Sequence, residues 1–127
     1  MNKKIYISTL SFKGLYIDEM MKIIKSNNLA GIDLAPLTIF KTWSQFEKKL
    51  FSFKKKIILN KIKINAIQGI FFGKNYNIFD SSEKKINEIN NHLKKIIKIL
   101  KFLGIKKIII GSSYFRDRKN INNKFAD

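Results

Sequence analysis

Four apolar runs each end in side chains that can hold or polarise a ligand: Ser8 and Thr9, Asp33, Gln68 with Gly69, and Ser112 with Ser113. Arg116 follows the last of these by a short step. A guanidinium, two hydroxyls and loop N–H groups at that spacing can converge on a phosphate or a carboxylate. The same arginine can instead lie in solvent beside Asp117. Gln68 stands before Gly69 and Gly73, where a backbone lacking Cβ can approach a bound molecule closely. Its alternative is a strand-end glutamine satisfied by neighbouring backbone, with the glycines serving tight turns. Asp33 offers a carboxylate to a ligand, or a structural partner to the Ser8 or Thr9 side. These readings make Asp33, Gln68, Ser112 and Arg116 the candidate substrate-binding residues and assign no catalytic residue. The chain has no cysteine, which rules out disulfides and thiolate metal sites within it. His92, the sole histidine, falls in a helical stripe beside Leu93 and reads as a structural or surface residue.

The elements that carry these residues alternate in period. Lys4 to Phe12 reads as a strand with Ile5 and Ile7 on one face. Ile17, Met20, Met21 and Ile24 recur at helical spacing through Asn27, behind Asp18 and Glu19, which suit a helix N-terminus. Ala30 to Ala35 is a short strand closed by Pro36, the one proline. Trp43, Phe46, Leu50, Phe53 and Ile57 predict a helix to Asn60, with Trp43 packing beside Phe46 and lysines on the far side. Ile64 to Phe71 is a third strand. Asp80, with Glu83 at capping-box spacing, opens a long helix striped by Ile86, Ile89, Leu93, Ile96 and Leu100, which Gly104 ends. Lys107 to Gly111 is a fourth strand, apolar on both sides as covered parallel strands are.

A βαβαβαβ order implies an α/β fold with a parallel sheet and right-handed crossovers. A doubly wound nucleotide fold wants several glycines in its first strand-to-helix turn, and this one has only Gly14. Polar groups gathered after every strand instead match a barrel whose strand ends share one site.

Three segments then carry a resemblance: IDLAPLTIFKTW (Ile32–Trp43), IQGIFFGKNYNIFDS (Ile67–Ser81) and HLKKIIKILKFLGIKKIIIGSSYFR (His92–Arg116). In order and spacing they resemble the sugar phosphate isomerase/epimerase family, the xylose-isomerase-like TIM barrels. Asp33 stands where that family more often has Glu, Ser113 where it has Pro, and Asp80 where Gly precedes Ser. The resemblance implies that residues 1–127 form the N-terminal half of a (β/α)8 barrel, cut at the start of the fourth helix. It implies a small sugar or sugar phosphate as ligand, with Gln68 bonding a hydroxyl and Tyr76 or Phe79 closing over it. It further implies a divalent metal ion (Mn, Mg, Co or Zn) for the complete barrel, with its ligands and the principal base on later strands. No metal is expected in this chain alone, which is expected to be inactive.

Such a half-barrel is expected to show an apolar face, including Ile7, Ile67 and Ile109, and two free strand edges. The expected partner is therefore a C-terminal half-barrel or a second copy.

The net charge of +17 would ordinarily suggest a polyanion. It comes almost wholly from lysine, with Arg only at 116 and 118. Lys, Ile and Asn are enriched together and share A/T-rich codons, so the excess reads as compositional drift on solvated helix faces such as Lys54–Lys56 and Lys94–Lys95. Nucleic acid is not the expected partner, although the same barrel superfamily includes metal-dependent endonucleases acting at abasic DNA. A noncatalytic half-barrel that binds a partner is the other alternative. No window approaches the roughly 18 apolar residues of a membrane span, and the basic start lacks a signal-peptide core. A cytoplasmic protein with no membrane partner is expected.

Overall fold

The computed structural model describes residues 4–79 and 82–118. Among them strands and helices alternate: β1 (Tyr6–Ser8), α1 (Ile17–Ser26), β2 (Gly31–Leu34), α2 (Trp43–Leu59), β3 (Lys63–Gln68), α3 (Glu83–Leu103) and β4 (Ile108–Ile109). Single 3-10 turns cover Thr9–Phe12, Pro36–Thr38 and Tyr114–Arg116. The strands form one parallel sheet in the order β1-β2-β3-β4. The order never reverses, so right-handed crossovers bring every helix to the same side. The fold is α/β with an all-parallel sheet, as the alternating periods imply.

Each helix is set by its stripe and its ends. In α1 the buried Met20, Met21 and Ile24 face the sheet, and Glu19 accepts a hydrogen bond from the Tyr16 backbone N–H at 2.8 Å. α2 starts where the Thr42 hydroxyl accepts from the Gln45 N–H at 3.1 Å, while the Gln45 side chain accepts from the Lys41 N–H. The Thr42 hydroxyl thus satisfies one donor that a helix start leaves orphaned, and the Gln45 side chain ties down the entering chain one residue before the cap. α3 is capped by Ser82 rather than Asp80: the Ser82 hydroxyl accepts from Lys85 N–H at 3.4 Å, and Asp80 lies outside the described residues. Gly104 ends α3 with φ of +72°, the left-handed conformation that glycine adopts without a Cβ clash.

The strands are shorter than the apolar runs suggest. β1 stops at Ser8 because its hydroxyl caps the next turn, accepting from the Leu10 N–H at 3.1 Å. β3 stops at Gln68, where Gly69 turns at φ of +62° and the Phe72 N–H closes onto the Gly69 carbonyl. The core lies between sheet and helices, around Ile32, Leu34, Ile67, Phe46, Phe53 and Ile96.

Ile67 is therefore not on an exposed apolar face: it is fully buried on the helix side. Ile7 also packs against the core, half-buried. The uncovered face carries Ser8, Asp33, Asn65 and Gln68 instead. Ile7 shares the side of its in-register partner Ile32, and a register shift in the next pair explains the position of Ile67. Ile32 pairs with Ile64 but Asp33 pairs with Ala66, so Asn65 is an extra residue in β3 and the phase of everything after it changes. Ile109 is the member of the expected apolar set that does stay exposed; with Ile108 and Ile110 it lines β4 on both sides.

Candidate functional site

The uncovered face is tied together across strands. Asn65 Nδ2 donates to Asp33 Oδ1 at 2.8 Å, and Lys107 Nζ lies 3.4 Å from Asn65 Oδ1. Gln68 Nε2 donates to the Ser8 hydroxyl and, at 3.3 Å, to the Asp33 carbonyl. Ser8 and Asp33 are in register on neighbouring strands. Three adjacent strands thus bring Ser8, Asp33, Asn65 and Gln68, all half-buried, into one polar cluster at their C-terminal ends. Asp33 bonds to Asn65 rather than to the Ser8 or Thr9 side chains. The bulge turns Asn65 toward it, a common use of bulges beside sites, and without pairing information Asn65 reads only as one polar residue in an apolar strand.

Thr9 has another role. Buried completely, its hydroxyl oxygen accepts from the Ala35 N–H at 2.8 Å, and the Thr38 hydroxyl lies 2.9 Å away, also 2.7 Å from the Ala35 carbonyl. The network pins the end of β1 to the end of β2 directly behind Ser8 and Asp33. Thr9→Val keeps the shape and strands the Ala35 N–H, so urea unfolding followed by circular dichroism is expected to show a loss of about 1–3 kcal/mol.

Ser112 and Arg116 sit apart from that cluster. The Ser112 hydroxyl caps the turn at Tyr114–Arg116 by accepting from the Phe115 N–H at 3.2 Å, and Arg116 Nε lies 3.5 Å from the Ser112 carbonyl. Arg116 is otherwise exposed. The loops after β3 and β4 are joined: Phe71 and Phe115 stack at 4.0 Å, the Ile78 N–H donates to the Phe115 carbonyl at 2.9 Å, and Asn77 Nδ2 donates to the Asp117 carbonyl at 2.7 Å. Arg116 is thereby held on the rim formed by both loops. Among the described residues no hydrogen bond links Ser112 or Arg116 to the β1–β3 cluster.

Gly69 and Gly73 serve turns. A Cβ on Gly69 would meet the Phe72 ring at 2.8 Å, and one on Gly73 would meet Leu37 at 3.0 Å. Both have positive φ. Tyr76 is not a lid: it is buried against Phe71 and His92. Phe79 is exposed, with the Arg118 guanidinium over its ring at 5.2 Å.

His92 is 5 % exposed and stands edge-on to Trp43 at 4.9 Å. Its Nε2 lies 2.6 Å from the Ile70 carbonyl, which can only accept, so that nitrogen carries the proton. Trp43 Nε1 donates to the Phe72 carbonyl at 2.8 Å. Together the two rings fasten the loop after β3 to α2 and α3. Burial holds the His92 pKa below its ordinary range; nearby Lys74 and Lys95 add to this, while the Ile70 bond and Glu47 oppose it. A folded-state pKa below the unfolded value of about 6.5 means that the neutral ring stabilises the fold above that pH. The contribution falls as acidification approaches the folded pKa. His92→Gln keeps an N–H for Ile70 and cannot titrate there, so its unfolding midpoint is expected to lose the wild-type decline as pH falls below about 6.5.

The implied divalent metal does not fit the residues present. Among the described residues no three His, Asp or Glu side chains converge, Asp33 is the one carboxylate within a strand, and His92 is committed to Ile70. A depression of about 410 Å³ between α1 and α2, lined by Ile17, Phe40, Phe53 and Lys56, lies on the helix side, and its Lys56 is paired with Asp18 at 2.8 Å. Two more of its polar side chains are engaged locally, Gln45 accepting from the Lys41 N–H and the Ser52 hydroxyl donating to the Lys49 carbonyl.

No family model, curated protein or solved structure matches this chain. No described helix is long and apolar enough to cross a membrane.

Proposed function

We infer that the uncovered sheet face is part of the ligand wall of a xylose-isomerase-like barrel, contributed by its first four strands, and that its ligand is a sugar or sugar phosphate. The observation that supports this best is the Ser8–Gln68 and Asp33–Asn65 pairing at the C-terminal ends of three neighbouring parallel strands. Barrel enzymes place their sites at that end. On this face β1–β3 present polar side chains rather than the apolar ones a purely structural barrel half would need, while β4 presents Ile109. Gln68 retains its amide oxygen, and Asp33 its second carboxylate oxygen, for hydroxyl groups, while the existing bonds hold both side chains in position. Arg116, carried on the joined rim loops, supplies a cation for a phosphate.

In this reading the rest of the barrel comes from a further segment or another chain, and with it the proton-transferring groups. The residues here bind and orient, and no proton transfer is assigned to them. The chain alone is expected to show no isomerase activity.

The test is a nuclear magnetic resonance titration of the 127-residue protein with fructose 6-phosphate, inorganic phosphate and glucose. Saturable movement of the Asn65 and Gln68 side-chain amide signals with the sugar phosphate, with Arg116 responding to both phosphates, is the expected result. Stationary side-chain amides at tens of millimolar sugar phosphate would refute the assignment.

A further inference from the structure

We propose that the C-terminal ends of α2 and α3 form a docking surface for an anionic lipid bilayer. Helix α2 has two apolar stripes. One is buried under the sheet through Phe46, Phe53 and Ile57. The other is Phe51, Ile58 and Leu59, which are 74 %, 62 % and 70 % exposed. Phe51, Lys54, Lys55, Ile58 and Leu59 recur at helical neighbour spacing and make one continuous outer face. Phe102 of α3 completes it: Lys54 Nζ donates to the Phe102 carbonyl and lies 4.4 Å from the centre of its ring. These residues line a shallow depression of about 310 Å³.

Charge selects the occupant. No Asp or Glu occurs between Glu47 and Asp80, or between Glu88 and Asp117. The charged side chains that line the depression are lysines, Lys54 and Lys55, with Lys61, Lys98, Lys101 and Lys106 following along the same helix ends and their exits, and Glu47, one turn before Phe51, is paired with Lys95 at 3.5 Å. Interfacial helices combine these features, inserting an apolar face to headgroup depth while basic side chains meet anionic lipid. A second copy of the chain is disfavoured by the +17 charge that each molecule would bring to the contact. A nucleic acid is less suited, because of the two rings in the patch that of Phe102 is already covered by Lys54, and Ile58 and Leu59 offer no planar surface for stacking beside Phe51. Both arginines lie at positions 116 and 118, after β4.

The placement leaves the polar face free. The last turns of α2 and α3 lead into the first residues of β3 and β4, so the patch lies at the opposite end of the sheet from Ser8, Asp33 and Gln68. A protein docked this way would turn that polar cluster toward water.

The chain contains no cysteine, so Leu59→Cys gives a unique thiol for a polarity-sensitive fluorophore, and Lys13→Cys gives a control on the loop after β1. Vesicles of phosphatidylserine and phosphatidylcholine in equal parts are expected to blue-shift the label at 59 and not at 13. Pure phosphatidylcholine should shift neither. In the unlabelled protein, Phe51→Ser with Leu59→Ser should lower vesicle affinity at least about tenfold, whereas Lys22→Glu with Lys25→Glu on α1 should lower it less. These positions are exposed, so circular dichroism should report an intact fold. Binding without a blue shift at 59, or equal binding by the serine pair, would mean that lysine charge alone attracts the vesicles and would overturn the proposal. Displacement of the vesicles by an oligonucleotide with a matching loss of oligonucleotide binding in the serine pair would reassign the patch to nucleic acid. Concentration-dependent dimers abolished by the serine pair would reassign it to self-association.

Discussion

Gly31→Ala is expected to destabilise the protein by about 4 kcal/mol or more, enough to abolish a cooperative unfolding transition in a domain of this size. Gly31 does not rely on positive φ. The difficulty is space: a Cβ there would lie 1.8 Å from the Lys63 carbonyl oxygen, 2.7 Å from its carbonyl carbon and 3.0 Å from its Cα. All three are backbone atoms, so no rotamer change can relieve the overlap. Ordinary contact requires about 3.4 Å, and reaching it means prising β2 from β3 where they first pair, at Gly31 and Lys63. The bulge at Asn65 lies just beyond, so the same displacement would pull Asn65 away from Asp33. Gly111→Ala is the control, since nothing lies within 4 Å of a Cβ at that position. It should stay within about 0.5 kcal/mol of wild type. Thermal and urea unfolding by circular dichroism would decide the matter. A Gly31→Ala protein with a cooperative transition within about 1 kcal/mol of wild type would show that the two strands do not approach as closely as described.

The local periods carry much of this architecture. The stripes of α2 and α3, the stop at Gly104 and the alternation of strand and helix are all legible, because a helix buries one face at a spacing visible within a few turns. The strand ends are less legible. Thr9, Gln68 and Gly69 interrupt the ladders through long-range or turn bonds, and apolar content alone extends the runs past them. Ser82 shows how a cap can be overlooked when a neighbouring acidic residue, Asp80, draws attention, and Thr42 with Gln45 how one can be overlooked where the apolar stripe alone is read. Which side of β3 is buried depends on the extra residue at Asn65, and a shift of one residue exchanges the faces. Gly31 reads as an ordinary small residue until the pairing with Lys63 is known. As for the site, Asp33 and Gln68 do come together, whereas Asn65 enters their cluster only through that pairing. Ser112 and Arg116 belong to a separate rim. The second stripe of α2 is present in the sequence at the same period as the first, but solvated lysine runs and an apolar docking face differ only in which neighbours stay uncovered.

Phe46→Ala is expected to cost about 3–5 kcal/mol, the range for deleting a buried aromatic ring whose surroundings relax only partly. Phe46 is 0 % exposed, with the rings of Phe40, Phe53 and Trp43 at 4.9, 6.0 and 6.2 Å. A cavity at this point removes contacts from three aromatic neighbours at once. Phe46→Leu refills much of the volume and should recover more than half of the loss. The effect should also reach the rim. Trp43 is one turn from Phe46 on α2, and its indole N–H holds the Phe72 carbonyl while His92 packs edge-on to it. Loosening the floor beneath Trp43 should weaken that anchor, and the loop after β3 carries the Ile78 bond to the Phe115 carbonyl that steadies Arg116. Amide hydrogen exchange of Phe46→Leu, which is expected to remain folded, provides the measurement. Faster exchange at the Ile78 N–H, with the sheet amide of Ile67 still protected, would show that core packing under α2 positions the rim. Equal acceleration at both sites would mean that the substitution acts only on global stability, and that the rim is held independently of the aromatic core.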